Sequence, residues 1–348
     1  MENKDINIMS EEKAAQLKEL LAASQHIVLT AHKSPDGDAL GSILGMASWL
    51  RQIGKQDVTP VVPDAYPDFL KWMPDCEKIM RYDKHPDEVK QHISDADLII
   101  CLDFNTISRV EDMAPVLAAA KAPKVLIDHH LDPDSGFALT FSHPEASSTC
   151  ELVFRVIRQL GGLDEITKLC AIQLYTGMMT DTGGFTYNST DPIIYAIIAE
   201  LLTKHIDKDK IYRNVFNTLP AWAIRFRGYL MNQKLNYFSD LNASYYTVTK
   251  DDMQRYHFIK GDLEGLVNEP LRIKGTKLSV SLREDTDKPG RIYVSLRSVD
   301  DFPCNKMAAD FFNGGGHLNA SGGKLFCTME EAEKTVRKAF SAYAEMLK

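Results

Sequence analysis

The stretch Val125-Leu126-Ile127-Asp128-His129-His130 decides how this chain is read. A short apolar run ends abruptly in one aspartate and two histidines. Apolar, β-branched residues suit a strand buried on both faces, and polar residues at its C-terminal end are what a parallel α/β sheet offers at an active site. Alone, Asp-His-His fits a strand running into a polar turn better, since short motifs match by chance. The decision comes from three other element ends, which deliver His32, Asp36 and Asp38, then Asp103, then Asp181.

Working outward, residues 26–31 read as the first strand, followed by the loop His32-Lys33-Ser34-Pro35-Asp36-Gly37-Asp38. A helix over about 39–53 carries Gly41, Ser42, Gly45 and Ala47, small residues that allow close packing. Residues 57–62 and 97–102 read as strands, the second ending at Asp103, and 124–127 as the strand that leads to Asp128. Helices are expected over 11–23, with Ser10 as N-cap, and over 110–120. This alternation predicts an α/β fold with a mainly parallel sheet flanked by helices. Further helices read at 148–160, 164–179 (before Thr180-Asp181-Thr182-Gly183-Gly184), 191–204, 208–216 and 221–232. From Leu235 the pattern changes to strands at 244–249, 277–284 and 291–297, then a helix at 305–312, a glycine run and a charged helix at 330–346. The expected organisation is a metal-binding catalytic domain over 1–218, a helical linker over 219–234, and a smaller α+β substrate-binding domain over 235–348.

With 348 residues, 44% hydrophobic and 25% charged, the chain has globular composition. A net charge of -8 argues against long duplex DNA, whose binding rests on many Lys and Arg contacts to phosphate, but allows a short phosphorylated ligand on a local basic site. The six cysteines lack C-x-x-C spacing and read as reduced core residues. With no apolar leader and no span long enough for a bilayer, the expectation is a cytoplasmic protein with no membrane partner. A homodimer is compatible with these features.

His32, Asp36, Asp38, Asp103, His129 and Asp181 amount to four carboxylates and two imidazoles. Converging carboxylates repel unless neutralised, and divalent cations are the natural partners. A mixed oxygen and imidazole set favours Mn²⁺ over Mg²⁺ or structural Zn²⁺, with Mg²⁺ or another divalent cation kept as an alternative. Six ligands exceed the needs of one tetrahedral ion. With one bridging carboxylate they suit two ions about 3.5–4 Å apart, an arrangement that activates water for phosphoester hydrolysis. Asp103, Asp128 and His130 are the candidate catalytic residues: His130 to contact the phosphate or leaving group, Asp128 to orient a neighbouring ligand or turn. In the second domain, Gly314-Gly315-Gly316-His317 fits either a flexible turn or an anion-binding nest of backbone amides. Arg283 and Arg297 are candidate phosphate or base contacts.

Taken in order, His32-x3-Asp36-x-Asp38, Asp103, Asp128-His129-His130 and Asp181 resemble the four motifs of the DHH phosphoesterase family, and Gly314 to His317 resembles the glycine motif of its associated C-terminal domain. The resemblance covers nearly the whole chain. It extends to the two-domain subfamily of oligoribonucleases (nano-RNases) and 3′-phosphoadenosine-5′-phosphate (pAp) phosphatases, also labelled exopolyphosphatase-related. It implies that His32, Asp36 and Asp103 hold one Mn²⁺ and that Asp38, Asp103, His129 and Asp181 hold the other, Asp103 bridging. It also implies that Gly314, Gly315, Gly316 and His317 hold the nucleotide, and that the active site lies in the cleft between the domains. The implied substrates are short RNA oligonucleotides, pAp, and linear or cyclic dinucleotides. Two alternatives stand beside this: an inorganic pyrophosphatase or exopolyphosphatase, which the metal set alone would serve, and a non-catalytic nucleotide sensor, against which the intact ligand set argues.

Overall fold

A computed structural model describes residues 6–259 and 261–348. The chain divides into two units, Met1–Thr218 and Leu219–Lys348.

In the first unit, β1 (His26–Thr30), β2 (Asp57–Val62), β3 (Met80–Arg81), β4 (Leu98–Leu102), β5 (Lys124–Asp128) and β6 (Leu139–Ser142) form one sheet in the order β3-β2-β1-β4-β5-β6. Every pairing is parallel, as expected. The edge strands β3 and β6 were not legible: they are two and four residues long, and pairing rather than composition makes them strands. Alternate residues point to opposite faces. Ile27, Leu29, Ile100, Leu102, Val125 and Ile127 join one core, and Val28, Ile99, Cys101 and Leu126 the other. Burial of each such side chain contributes roughly 1.5–3 kcal/mol, which is why β4 reads as an unbroken apolar run.

The first core is closed by α1 (Glu11–Ala23) and α2 (Gly37–Gln52), the second by α3 (Pro86–Asp95) and α4 (Ala114–Ala119). Helix α1 is capped by Ser10 as expected. Helix α2 starts at Gly37, earlier than its pattern suggests, because Asp36 caps it by accepting from the amides of Asp38 and Ala39. The single helix expected over 110–120 is instead a 3-10 turn, Ile107–Met113, followed by α4, with a break at Glu111 (φ 41°) and Pro115 in the first turn of α4. Two further helices, α5 (Thr149–Gln159) and α6 (Lys168–Asp181), pack on α2, and α7 (Pro192–Leu202) and α8 (Lys208–Phe216) follow. Helix α6 starts at Lys168 rather than 164 because Thr167 caps it. Glycines make the α2–α6 crossing close: a Cβ on Gly41 would meet the Gln173 carbonyl oxygen at 2.6 Å, and one on Gly177 would meet Asp38 Cα at 3.1 Å.

The second unit begins with α9 (Ala221–Tyr229) and a π-helical turn, Leu230–Lys234. The residues expected as a linker therefore pack within this unit, Phe226 and Leu230 against Tyr246, Val248 and Leu266. β7 (Leu235–Phe238) and β8 (Ala243–Val248) lead to α10 (Lys250–Arg255), then β9 (Leu278–Glu284), β10 (Arg291–Ser298), α11 (Cys304–Phe312), β11 (Gly315–Gly316), β12 (Ala320–Phe326) and α12 (Met329–Ala342). The sheet order is β11-β12-β10-β9-β8-β7, antiparallel except for β8–β9. Val280, Leu282, Val294 and Leu296 face α11 and α12, giving the expected α+β unit. Part of the glycine run forms the short strand β11. Gly315 and Gly316 pair with Gly322 and Ser321, and only Gly316 of the three has a positive φ, 141°. A Cβ on Gly314 would lie 1.8 Å from the Gly322 carbonyl oxygen, so packing demands a glycine there. His317 opens the turn, its amide donating to Ala320 O at 2.8 Å.

Candidate active site

The strand order of the first sheet reverses between β1 and β4, and ligands of such sheets sit beyond the carboxyl ends of the strands at this switch. β1, β4 and β5 are neighbours there and lead into His32, Asp103 and Asp128-His129-His130. Helix α2 brings Asp36 at its cap and Asp38 in its first turn, and α6 ends on Asp181. All six predicted ligand residues, with Asp128 and His130, thus converge.

Asp103 is central. Its Oδ2 lies 3.4 Å from His32 Nε2, while its Oδ1 lies 3.5 Å from His129 Nε2 and 3.8 Å from His130 Nδ1. His32 Nε2 is 3.9 Å from Asp36 Oδ2. His129 Nε2 is 4.0 Å from Asp38 Oδ2 and 3.6 Å from Asp181 Oδ2. Ligand atoms of His32, Asp36 and Asp103 lie within 4.8 Å of one another, as do those of Asp38, His129 and Asp181, and those of Asp103, Asp128 and His130. Asp103 adopts φ 65°, a left-handed conformation that costs an L-residue on the order of 1–2 kcal/mol. Its placement at the end of β4 outweighs that strain. Nδ1 of His32 is 2.8 Å from Lys33 O and Nδ1 of His129 is 3.3 Å from Ala146 O. Each carbonyl accepts from Nδ1–H, which turns Nε2 toward the carboxylates.

The electrostatics follow from burying opposite charges together. Burial disfavours both imidazolium ions, yet the hydrogen bond to Asp103 and the charges of Asp36 and Asp103 hold His32 up at about 9. The charges of Asp181, Asp103 and Asp38 overcome burial in the same way and hold His129 at about 9. Burial, with Asp103 and Asp181 beside it, pushes Asp38 well above the usual carboxylate range. Asp103 goes the other way: burial opposes it, but the His32 hydrogen bond and the three nearby imidazoles lower it. Oδ2 of Asp128 is buried with no hydrogen-bond partner among the described residues. An orphaned carboxylate oxygen within a nitrogen and oxygen donor set fits a divalent-cation centre.

Three contributors were not singled out from the sequence. The amides of Thr149 and Cys150 donate to Asp38 Oδ2 and Oδ1 at 2.6 and 2.9 Å, and Thr149 Oγ1 donates to Asp103 Oδ1 at 3.0 Å. The pattern reads a helix from Ser148, and Ser148 caps α5, but nothing local points to carboxylates more than forty residues away. Arg109 is the third. Its carbonyl accepts from Lys33 N at 2.9 Å, and its charge lies close enough to oppose protonation of His32.

In the second unit, Arg283, Tyr293, Asn313, Gly314 and Lys324 line a cavity of about 440 Å³ on the sheet face away from α11 and α12. The Arg283 guanidinium lies over the rings of Tyr293 and Phe258, at 4.9 and 5.6 Å. Arg297 shares this face, one residue in two along β10, but does not line the cavity, and neither do Gly315, Gly316 or His317.

A doubly wound sheet with buried carboxylates and imidazoles at its switch point, joined to a second α+β unit, defines a metal-assisted phosphoester hydrolase. The chain belongs to the DHH family: residues 26–178 match the DHH family N-terminal domain and residues 246–346 the DHHA1 domain. It is 47% identical to an exopolyphosphatase-related protein from Bacteroides fragilis, whose crystal structure superposes with a TM-score of 0.93 over 98% of each chain. It is 28% identical to the bifunctional oligoribonuclease and PAP phosphatase NrnA of Thermus thermophilus, over 90% of this chain and 89% of that one. With the protein of that name from Bacillus subtilis it shares 26% identity, over 88% and 91%. The motif resemblance is borne out. No helix among the described residues is long and apolar enough to cross a membrane.

Proposed function

We propose that the chain hydrolyses short oligoribonucleotides to mononucleotides, and pAp to AMP, with two Mn²⁺ ions. The observation that carries this is Asp103, whose two oxygens face two different ligand groups. His32, Asp36 and Asp103 would hold one ion, and Asp38, Asp103, His129 and Asp181 the other. When bound, the pair supplies an activated water and neutralises charge on the phosphoryl oxygens. Asp128 accepts from His130 Nδ1 at 2.7 Å and so orients that imidazole for the leaving oxygen. Arg283 and the Gly314–His317 segment take the nucleotide. Charge supports the division of labour: Lys and Arg outnumber Asp and Glu only in the second unit, 19 against 16, where an anionic substrate would be held. The names of the Thermus and Bacillus relatives point the same way.

A polyphosphatase is the second reading, favoured by the name of the 47% identical relative. One panel separates them: purified protein with Mn²⁺ against pAp, pApA, short RNA, cyclic di-AMP, pyrophosphate and polyphosphate. Turnover of the nucleotides with inert pyrophosphate and polyphosphate supports the proposal; the reverse pattern sinks it.

A further inference from the structure

Thr149 stands at the first position of α5, buried, and makes two bonds to two different carboxylates of the site. Its amide donates to Asp38 Oδ2 at 2.6 Å and its hydroxyl to Asp103 Oδ1 at 3.0 Å. The two bonds do different things. Asp38 has a second amide, that of Cys150, at 2.9 Å on its other oxygen, so main chain alone fixes both of its oxygens. Asp103 has no main-chain support of this kind. Its Oδ2 has only the long hydrogen bond from His32 Nε2 at 3.4 Å, and Oδ1 faces His129 and His130 at 3.5 and 3.8 Å, beyond good hydrogen-bond length. The hydroxyl of Thr149 is therefore the short hydrogen bond that sets the rotation of the Asp103 carboxylate about its χ2, a torsion that is otherwise broad.

We infer that Thr149 is a positioning residue: its hydroxyl holds Asp103 with one oxygen turned to each ligand group, and so sets the affinity of the pair of metal sites that share this carboxylate. The inference rests on the two-metal reading above. Partners of this kind behind a ligand change metal affinity by roughly 10–100-fold when removed. Thr149→Val keeps the size, the methyl group and both main-chain bonds to Asp38, and removes only the hydroxyl. Thr149→Ser does the opposite, keeping the hydroxyl and losing the methyl. A residue needed only for packing would tolerate Val and suffer with Ser. A residue that positions Asp103 would tolerate Ser and suffer with Val.

The test is calorimetric titration of Mn²⁺ into metal-free wild-type, Thr149→Val and Thr149→Ser proteins, followed by steady-state kinetics at saturating Mn²⁺. The expected result is two Mn²⁺ per wild-type chain, affinity about 10-fold weaker in Val, recovery to near wild type in Ser, and a loss in kcat rather than KM in Val. A wild type that binds two ions and a Val variant that matches it, or a Ser variant as weak as Val, overturns the role given to Thr149 and leaves the two-metal reading standing. A wild type that binds fewer than two overturns both. If Val does not fold, Thr149→Ala against Thr149→Ser decides by the same criterion, since both lack the methyl and differ only in the hydroxyl.

Discussion

Gly177 on α6 faces Asp38 on α2 so closely that a methyl group on it would sit 3.0 Å from the carboxylate Oδ1. The same methyl would lie 2.2 Å from Cys150 Sγ, well inside contact distance. Alanine would gain about 1 kcal/mol of helix propensity, but overpacking a rigid core costs roughly 1–3 kcal/mol. The clash wins, because both neighbours are buried and one is held by two amides. Gly177→Ala should lower the melting temperature by several degrees and weaken Mn²⁺ binding together. An unchanged melting curve with normal Mn²⁺ uptake would show that α2 and α6 can part without disturbing Asp38.

Asp103→Ala should abolish turnover, a loss of at least about 10³-fold, and bring bound Mn²⁺ below two per chain. Asp103 turns one oxygen to His32 and the other to His129, so one substitution removes an oxygen from each side. Metal analysis beside the rate measurement checks this: near-normal activity with two ions retained would mean that Asp103 is not the bridge.

Binding of Mn²⁺ should release protons and tighten as pH rises. His32 and His129 are each held at about 9 in the metal-free chain, so at pH 7 both carry protons that a metal must displace. A histidine whose folded pKa is raised from 6.5 stabilises the metal-free fold below 6.5, and that contribution is lost as pH climbs through 9. Asp38, also raised, acts in the same direction. The metal-free melting temperature should fall between pH 6.5 and 9, and excess Mn²⁺ should reverse the trend. Calorimetry at pH 7 in buffers of different ionisation enthalpy reads the proton release directly; a heat independent of buffer would refute it.

His317→Ala should damage nucleotide use more than metal binding. A hydrogen bond to a charged group is worth about 1.5–3 kcal/mol, so kcat/KM should drop roughly 10–100-fold while Mn²⁺ content stays at two. Parallel loss of both would place His317 with the metal ligands.

Short substrates should be preferred. The cavity of about 440 Å³ beside Arg283 suits a single nucleotide, and the acidic first unit offers no extended basic track for a long strand. The measurement is kcat/KM at fixed salt for 5′-phosphorylated RNA from two to about twenty nucleotides. Efficiency should peak at two to four; equal or rising values with length would favour a general exonuclease.

The parallel sheet, the candidate metal ligands and the family were all legible in the residues alone. Each is a local pattern: β4 and β5 are apolar runs because they are buried on both faces, and their ligands follow directly at the strand ends. Helix starts were less legible where a polar side chain caps them, as Asp36 and Thr167 do. Long-range packing settled the rest. β3, β6 and β11 exist through hydrogen bonds to a neighbouring strand, so a few residues of any character can form them. Gly314 must be glycine because the Gly322 carbonyl lies against it, a contact no reading of the run could supply. Thr149 reaches Asp103 across 46 residues because α5 begins where β4 ends, and a helix start read at Ser148 carries no trace of that distance. The candidate ligands were written along the chain; which oxygen of Asp103 meets which imidazole was written only in the packing of helices on the sheet.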